Sequence, residues 1–175
     1  MVLPIPDAML PAKDDRGAFW ADRGDRRHCG IDLFAAPDTP VFAMLPSRVA
    51  EVRLFTGPGM NPYWFRTYQV LVENEDGTSL RYAELGSLLV EPGARLNAGA
   101  SIGHVVRVIN ASRVDDRAPS YIWDFVQRGR TSMFHLERWQ GYPRNGPHCA
   151  GGNWLGSGIP DGLLDPITFL QNDDR

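Results

Sequence analysis

Two short segments, His28-Cys29-Gly30-Ile31-Asp32 near the start of the chain and Phe134-His135-Leu136-Glu137 far downstream, hold the residue types that bind a transition metal. The imidazoles of His28 and His135 and the carboxylate of Asp32 can close on a single zinc ion. Three protein ligands with a vacant fourth position make a hydrolytic zinc site, whereas structural sites fill all four positions. Such a centre needs two supports: a bend that lets His28 and Asp32 meet, and a strand that aims His135.

His28 and Asp32 lie four positions apart, which on an extended strand separates their α-carbons by roughly 13 Å, too far to share one ion. Gly30 between them supplies a bend. A helix is disfavoured by Gly30, by β-branched Ile31 and by Pro37 just beyond. A strand is predicted from Thr131 to Trp139, whose period of two sets Met133, His135 and Glu137 on one face and Phe134, Leu136 and Arg138 on the other.

Across the rest of the chain, 18 glycines and 14 prolines separate short β-branched and aromatic runs, the pattern of an all-β domain. Strands are expected near 39–43, 48–55, 68–74, 79–85 and 101–109. Asp76-Gly77 joins the third and fourth of these as an antiparallel hairpin. Pro92-Gly93 and Ala98-Gly99 mark two tight reversals in succession. Ser120 to Val126 suits either a short helix or a strand. The segment 141–162, rich in Gly, Pro and Asn, is expected to be a long surface loop. Asp165-Pro166 then opens a short C-terminal helix with Asp165 as its N-cap.

With 175 residues, 43% of them hydrophobic, the chain is expected to form a single domain over 1–175 with a sizeable core. A net charge of -3, with Asp and Glu interleaved among the arginines, argues against a nucleic-acid partner. No basic-then-apolar leader opens the sequence and no apolar run is long enough to cross a bilayer. A chain without a membrane span, cytoplasmic as written, is therefore expected. Cys29 and Cys149 each follow a histidine, and are open to three states: a disulfide, neighbours of a metal site, or free thiols. Without an export signal, reduced thiols are expected.

His28-Cys29-Gly30-Ile31-Asp32 resembles the HxGxD motif of the M23 zinc metallopeptidases, the lysostaphin-type or LytM-like endopeptidases that cut peptidoglycan peptides. The likeness continues in order through Thr39-Pro40-Val41 and Ala43 to Tyr82-Ala83-Glu84-Leu85, which resembles that family's YAHL segment. Val90, Gly93, Gly99 and Ile102-Gly103 follow its VxxGxxVxxGxxIG run, and Ser132-Met133-Phe134-His135-Leu136-Glu137 resembles its HLHFE strand. Leu164-Asp165-Pro166 with Phe169-Leu170 resembles its DPxxYL ending, so that the likeness covers about residues 17–170.

The resemblance implies an antiparallel β-sandwich of duplicated hybrid motifs with long loops and a short C-terminal helix. It implies zinc as cofactor, and as partner a peptidoglycan peptide or a similar peptide. Its metal ligands fall on His28, Asp32 and His135. Its two non-ligand histidines, which orient the attacking water and stabilise the tetrahedral intermediate, fall on Glu84 and Met133, and neither is a histidine here.

A thioether has no proton to give and accepts weakly, so Met133 turns that part of a substrate wall apolar. Glu84 has three readings: a general base as in other zinc peptidases, a fourth ligand or anchor that closes the site, or a solvated carboxylate. His148, in the Gly-rich loop, and His104 are the other imidazoles able to replace the missing one, and His148 is the candidate for contact with substrate. A Cys29–Cys149 bond would pin His148 near the metal. The expected function is a zinc-dependent, M23-like peptidoglycan peptide endopeptidase with an altered mechanism using Glu84 in place of a histidine base, reaching a cell wall after lysis or on a phage-like particle. The alternative is a catalytically inactive zinc-binding module for binding or scaffolding. A phosphotransferase or carrier domain of similar topology is a third option, and it requires a phospho-acceptor histidine without metal.

Overall fold

The computed structural model describes residues 2–143 and 148–171. Strands β1 (Arg27–His28) and β2 (Ile31–Phe34) flank a bend at Cys29-Gly30, as the sequence predicts. Six strands follow: β3 (Pro40–Phe42), β4 (Ser47–Thr56), β5 (Thr67–Asn74), β6 (Thr78–Leu88), β7 (Arg95–Leu96) and β8 (Ser101–Arg107). Helix α1 (Ser120–Gln127) precedes β9 (Ser132–Gln140), β10 (Cys149–Ala150), β11 (Asn153–Trp154), β12 (Leu163–Leu164) and helix α2 (Pro166–Gln171). The all-β expectation holds, and the pairings of these strands are antiparallel.

The main sheet runs in the order β12-β9-β8-β6-β5-β4-β7, with β2 added to β9 and β3 to β8. Strand β6 changes partners along its length: Thr78 to Ala83 lie beside β9, whereas Leu85 and Leu88 lie beside β8. The sheet therefore curls, and its concave side closes on Ile31, Leu33, Val70, Val72, Leu80, Tyr82, Phe134 and Leu136, all fully buried. The Asp-Gly turn between β5 and β6 forms as expected, with Gly77 at φ +79° and the Thr78 N–H donating to Asp76 Oδ1 at 2.9 Å.

A second apolar cluster sits under α1, where Tyr121, Ile122 and Phe125 pack on Tyr63, Val108, Ile109 and Met133. Segment 120–126 is thus a helix, because its buried positions follow a helical spacing that suits this patch. The long segment 141–162 is less irregular than expected. Strands β10 and β11 lie within it and join β1 in a small sheet of order β1-β11-β10. Two-residue strands leave no periodic trace in a sequence, and they exist here because β1 offers a free edge. Asp165 caps α2 as anticipated, its Oδ1 accepting from the Ile167 N–H at 2.8 Å. No helix among the described residues is long and apolar enough to cross a membrane.

Candidate metal centre

The bend that brings His28 and Asp32 together has no space for a side chain. A β-carbon on Gly30 would stand 2.2 Å from the Leu136 carbonyl oxygen. This approach lets β2 pair with β9 so that Asp32 lies opposite His135, while His28 on β1 turns back to the same point. His28 Nε2 is 3.0 Å from His135 Nδ1 and 3.1 Å from Asp32 Oδ1, and His135 Nδ1 is 2.9 Å from that same oxygen. All three side chains are buried.

The outer ring nitrogens fix which lone pairs face inward. His28 Nδ1 meets the Ala18 carbonyl oxygen at 2.9 Å and must donate to it, which leaves Nε2 as the inward lone pair. His135 Nε2 meets Glu137 Oε1 at 3.0 Å, which leaves Nδ1 inward. Two imidazole lone pairs and a carboxylate oxygen therefore converge on one point, a nitrogen and oxygen donor set that suits zinc. In the metal-free protein a proton relieves this crowding of acceptors. Burial disfavours a charged His135, yet its hydrogen bonds to Asp32 and Glu137 prevail and raise its pKa to about 9. Burial, followed by the charge of Arg23, lowers His28 to about 4. The Asp32 carboxyl is held well below its ordinary range, since His28 and Arg23 outweigh the effect of its burial.

Each ligand has its own support. Glu137 is fully buried, and its Oε2 accepts from Arg81 Nη1 and Trp139 Nε1, each at 2.7 Å. Burial raises its pKa, but Arg81 and His135 bring it down to about 2, so it is a permanent anion orienting His135. The Phe55 ring stacks on His135 at 5.6 Å. From the other side Gly152 comes so close that a β-carbon there would lie 2.6 Å from His135 Cε1. Phe55, Arg81, Cys149, Gly151 and Gly152 also line a groove of ≈ 350 Å³.

Glu84 sits where β6 leaves β9 and joins β8. Ala83 still pairs with His135, Leu85 already pairs with Val105, and the register against β5 shifts at this step. Such a bulge re-aims a side chain. By strict alternation with Leu80 and Tyr82, Glu84 would face the apolar core. Instead it takes φ +64° and stays beside the triad, with its Oε2 buried and without a hydrogen-bond partner. Burial first, then the charge of Asp32, raises its pKa to about 8. The side chains among the described residues that lie close enough together to hold a metal ion are those of His28, Asp32 and His135, without Glu84.

Met133 shares the face of His135, but it is buried in the apolar cluster beneath α1. His148 is exposed and stands edge-on to Trp154 at 5.5 Å. His104 lies on β8, opposite Pro40. Cys29 and Cys149 are free thiols that hydrogen-bond to each other. Sequence reasoning passed over Arg23, a buried arginine whose guanidinium pairs with Asp32 Oδ2. No spacing signal points to it, because its partners come from distant parts of the chain. The role of Glu137 had a signal, since the strand period already set it on the face of His135.

A sequence profile described as peptidase family M23 matches residues 26–117, more than half of the chain. The chain belongs to peptidase family M23. Solved M23 structures share its fold. The catalytic domain of lysostaphin from Staphylococcus simulans is 18% identical with a TM-score of 0.56, over 94% of this chain and 93% of that one. The catalytic domain of the prophage-encoded M23 protein EnpA from Enterococcus faecalis is 18% identical with a TM-score of 0.54, over 94% and 92%. A chain from the crystallised complex of SpoIIIAH and SpoIIQ is 18% identical with a TM-score of 0.55, over 96% and 98%. No curated protein matches this M23 chain by sequence.

Proposed function

We propose that this M23 chain is a zinc-dependent endopeptidase for peptidoglycan peptides or peptides like them, with the Glu84 carboxylate as general base in place of a histidine. The observation that carries this is the placement of Glu84: buried beside Asp32 and His135, with an unpartnered Oε2 and a backbone bent to +64° to keep it there. His28, Asp32 and His135 would hold the metal, which when bound supplies Lewis acidity and lowers the pKa of water.

The protein's own groups then have distinct tasks. Glu84 takes the proton of the attacking water at Oε2 and returns it to the leaving nitrogen. Burial and the charge of Asp32 raise its pKa in the metal-free protein, and a bound dication beside it would hold the carboxylate ionised and able to accept that proton. Glu137 keeps the proton of His135 on Nε2 and so keeps Nδ1 available. Phe55 and Gly152 pack on the His135 ring and limit water around it, and the same two residues line the neighbouring groove, which would take the peptide.

A second reading, a zinc-binding module that holds a peptide or partner without cutting it, is favoured by Met133. Its thioether, packed beneath α1, leaves the centre without the proton donor that the family pattern has at this position. Incubating the zinc-loaded protein with peptidoglycan and with oligoglycine peptides separates the two. New amino termini that disappear in Glu84→Gln support the peptidase, whereas intact substrates after long incubation leave the binding module.

A further inference from the structure

Arg23 stands against the metal triad with only 4% of its surface exposed, and every nitrogen of its guanidinium has a partner. Nη2 donates to Asp32 Oδ2, Nη1 to Asn153 Oδ1 at 3.0 Å, and Nε to the Arg16 carbonyl oxygen at 2.9 Å. The guanidinium carbon lies 4.5 Å from the centre of the Tyr121 ring and 5.6 Å from that of Phe125. A side chain held on three edges and against two aromatic rings has one position, and its charge is fixed there.

We propose that Arg23 is a positioning residue of the metal centre: it holds Asp32 Oδ2, leaves Oδ1 as the metal-facing oxygen, and cancels the carboxylate's charge, so that the site binds zinc less tightly and leaves the ion more electron-poor. This rests on reading His28, Asp32 and His135 as a zinc site. It does not depend on whether a peptide is cut.

The inference follows from charge. Among the three ligands only Asp32 is anionic, and the guanidinium on its second oxygen brings ligands and arginine together to zero. A dication is held less firmly by a neutral surround than by an anionic one, and in a buried site the difference is poorly screened. A carboxylate already shared with a guanidinium also donates less to a metal. A zinc ion held by His28, Asp32 and His135 beside Arg23 would be the more polarising for it, which suits a chain that has Met133 at the position of the family's second imidazole. Glu137 has the opposite influence on His135, because an anion behind an imidazole makes it a better donor.

A purely structural Arg23 makes a different prediction, since loss of a pin would loosen Asp32 and weaken metal binding whatever replaced it. The test is competition between the full chain and a chromogenic chelator for zinc near pH 7. Arg23→Met, which removes the charge, is expected to bind zinc about tenfold or more tightly than the parent, the lost repulsion exceeding the lost orientation. Arg23→Lys, which keeps the charge, is expected to stay within a few-fold of the parent. Equal or weaker binding by Arg23→Met overturns the proposal while leaving the zinc site standing. A parent chain that binds no zinc overturns both. If Arg23→Met does not fold, Asn153→Asp places a carboxylate on Nη1 and opposes the same charge from the far side. It is expected to tighten zinc binding by a smaller factor, and unchanged or weaker binding overturns the proposal equally.

Discussion

Glu84 is held against several preferences at once. A carboxyl group buried without a donor for one oxygen, on a non-glycine residue at φ +64°, costs on the order of 1–3 kcal/mol in backbone strain alone, in addition to desolvation. Strain of this kind persists where the surrounding structure imposes it, and here the imposed position is beside the metal donors. Glu84→Gln keeps the shape and removes the proton acceptor. Steady-state cleavage assays are expected to show kcat/KM lower by about 10²- to 10⁴-fold, while zinc affinity, measured by chelator competition, stays within a few-fold. Glu137 acts one bond further out. Its Oε1 fixes the tautomer of His135, so Glu137→Gln is expected to weaken zinc binding by about 10- to 100-fold in the same competition assay. The identities of His28, Asp32, His135 and Glu84 were legible in the motifs that contain them. Arg23 was not, because a lone arginine in a charged stretch of sequence does not tell which carboxylate it will meet.

At the scale of elements, two irregularities build the centre. The first is the bend between β1 and β2, which depends on Gly30 because its α-carbon presses on the backbone of β9. Gly30→Ala would drive a methyl group to 2.2 Å from the Leu136 carbonyl oxygen. We expect a loss of about 1–3 kcal/mol in urea unfolding, together with weaker zinc binding as His28 moves away from Asp32. The second is the bulge in β6. The strand was legible because the Asp76-Gly77 turn set its start and Leu80 and Tyr82 alternate with polar neighbours. The bulge was not, since it arises where one strand must follow both β9 and β8 as the sheet curls. The small sheet formed by β1, β11 and β10 was hidden for a related reason. Its strands have two residues each and are defined by a partner distant in sequence rather than by their own pattern.

At the scale of the whole molecule, the buried titratable groups tie stability to pH. In the metal-free protein the pKa of Glu84 is raised from 4.5 to about 8 and that of His135 from 6.5 to about 9. A raised folded pKa means that the folded state holds more protons than the unfolded chain between the two values. The associated stability is full below the unfolded pKa and is lost as pH rises through the folded one. The shift of His28 acts in the opposite sense but only between about 4 and 6.5. Thermal melts of metal-free protein are therefore expected to show Tm falling from pH 6.5 to 9. Zinc binds His135 in its unprotonated form, so saturating zinc should raise Tm throughout and flatten that fall; at a free concentration of 100 times Kd the added stability is about 2.7 kcal/mol. A slope that is unchanged by zinc would remove His135 from the metal site. What the sequence by itself determined was the longer strands from β3 to β9, the two faces of β9 and the three candidate metal donors, because these depend on period, turn chemistry and residue type within short windows. Only the tertiary structure decided that Glu84 turns toward the centre, that Met133 is packed away under α1, and that Arg23 lies on Asp32. Each of these depends on which distant segments the curled sheet brings into contact, and side-chain charge in a buried site acts through that proximity.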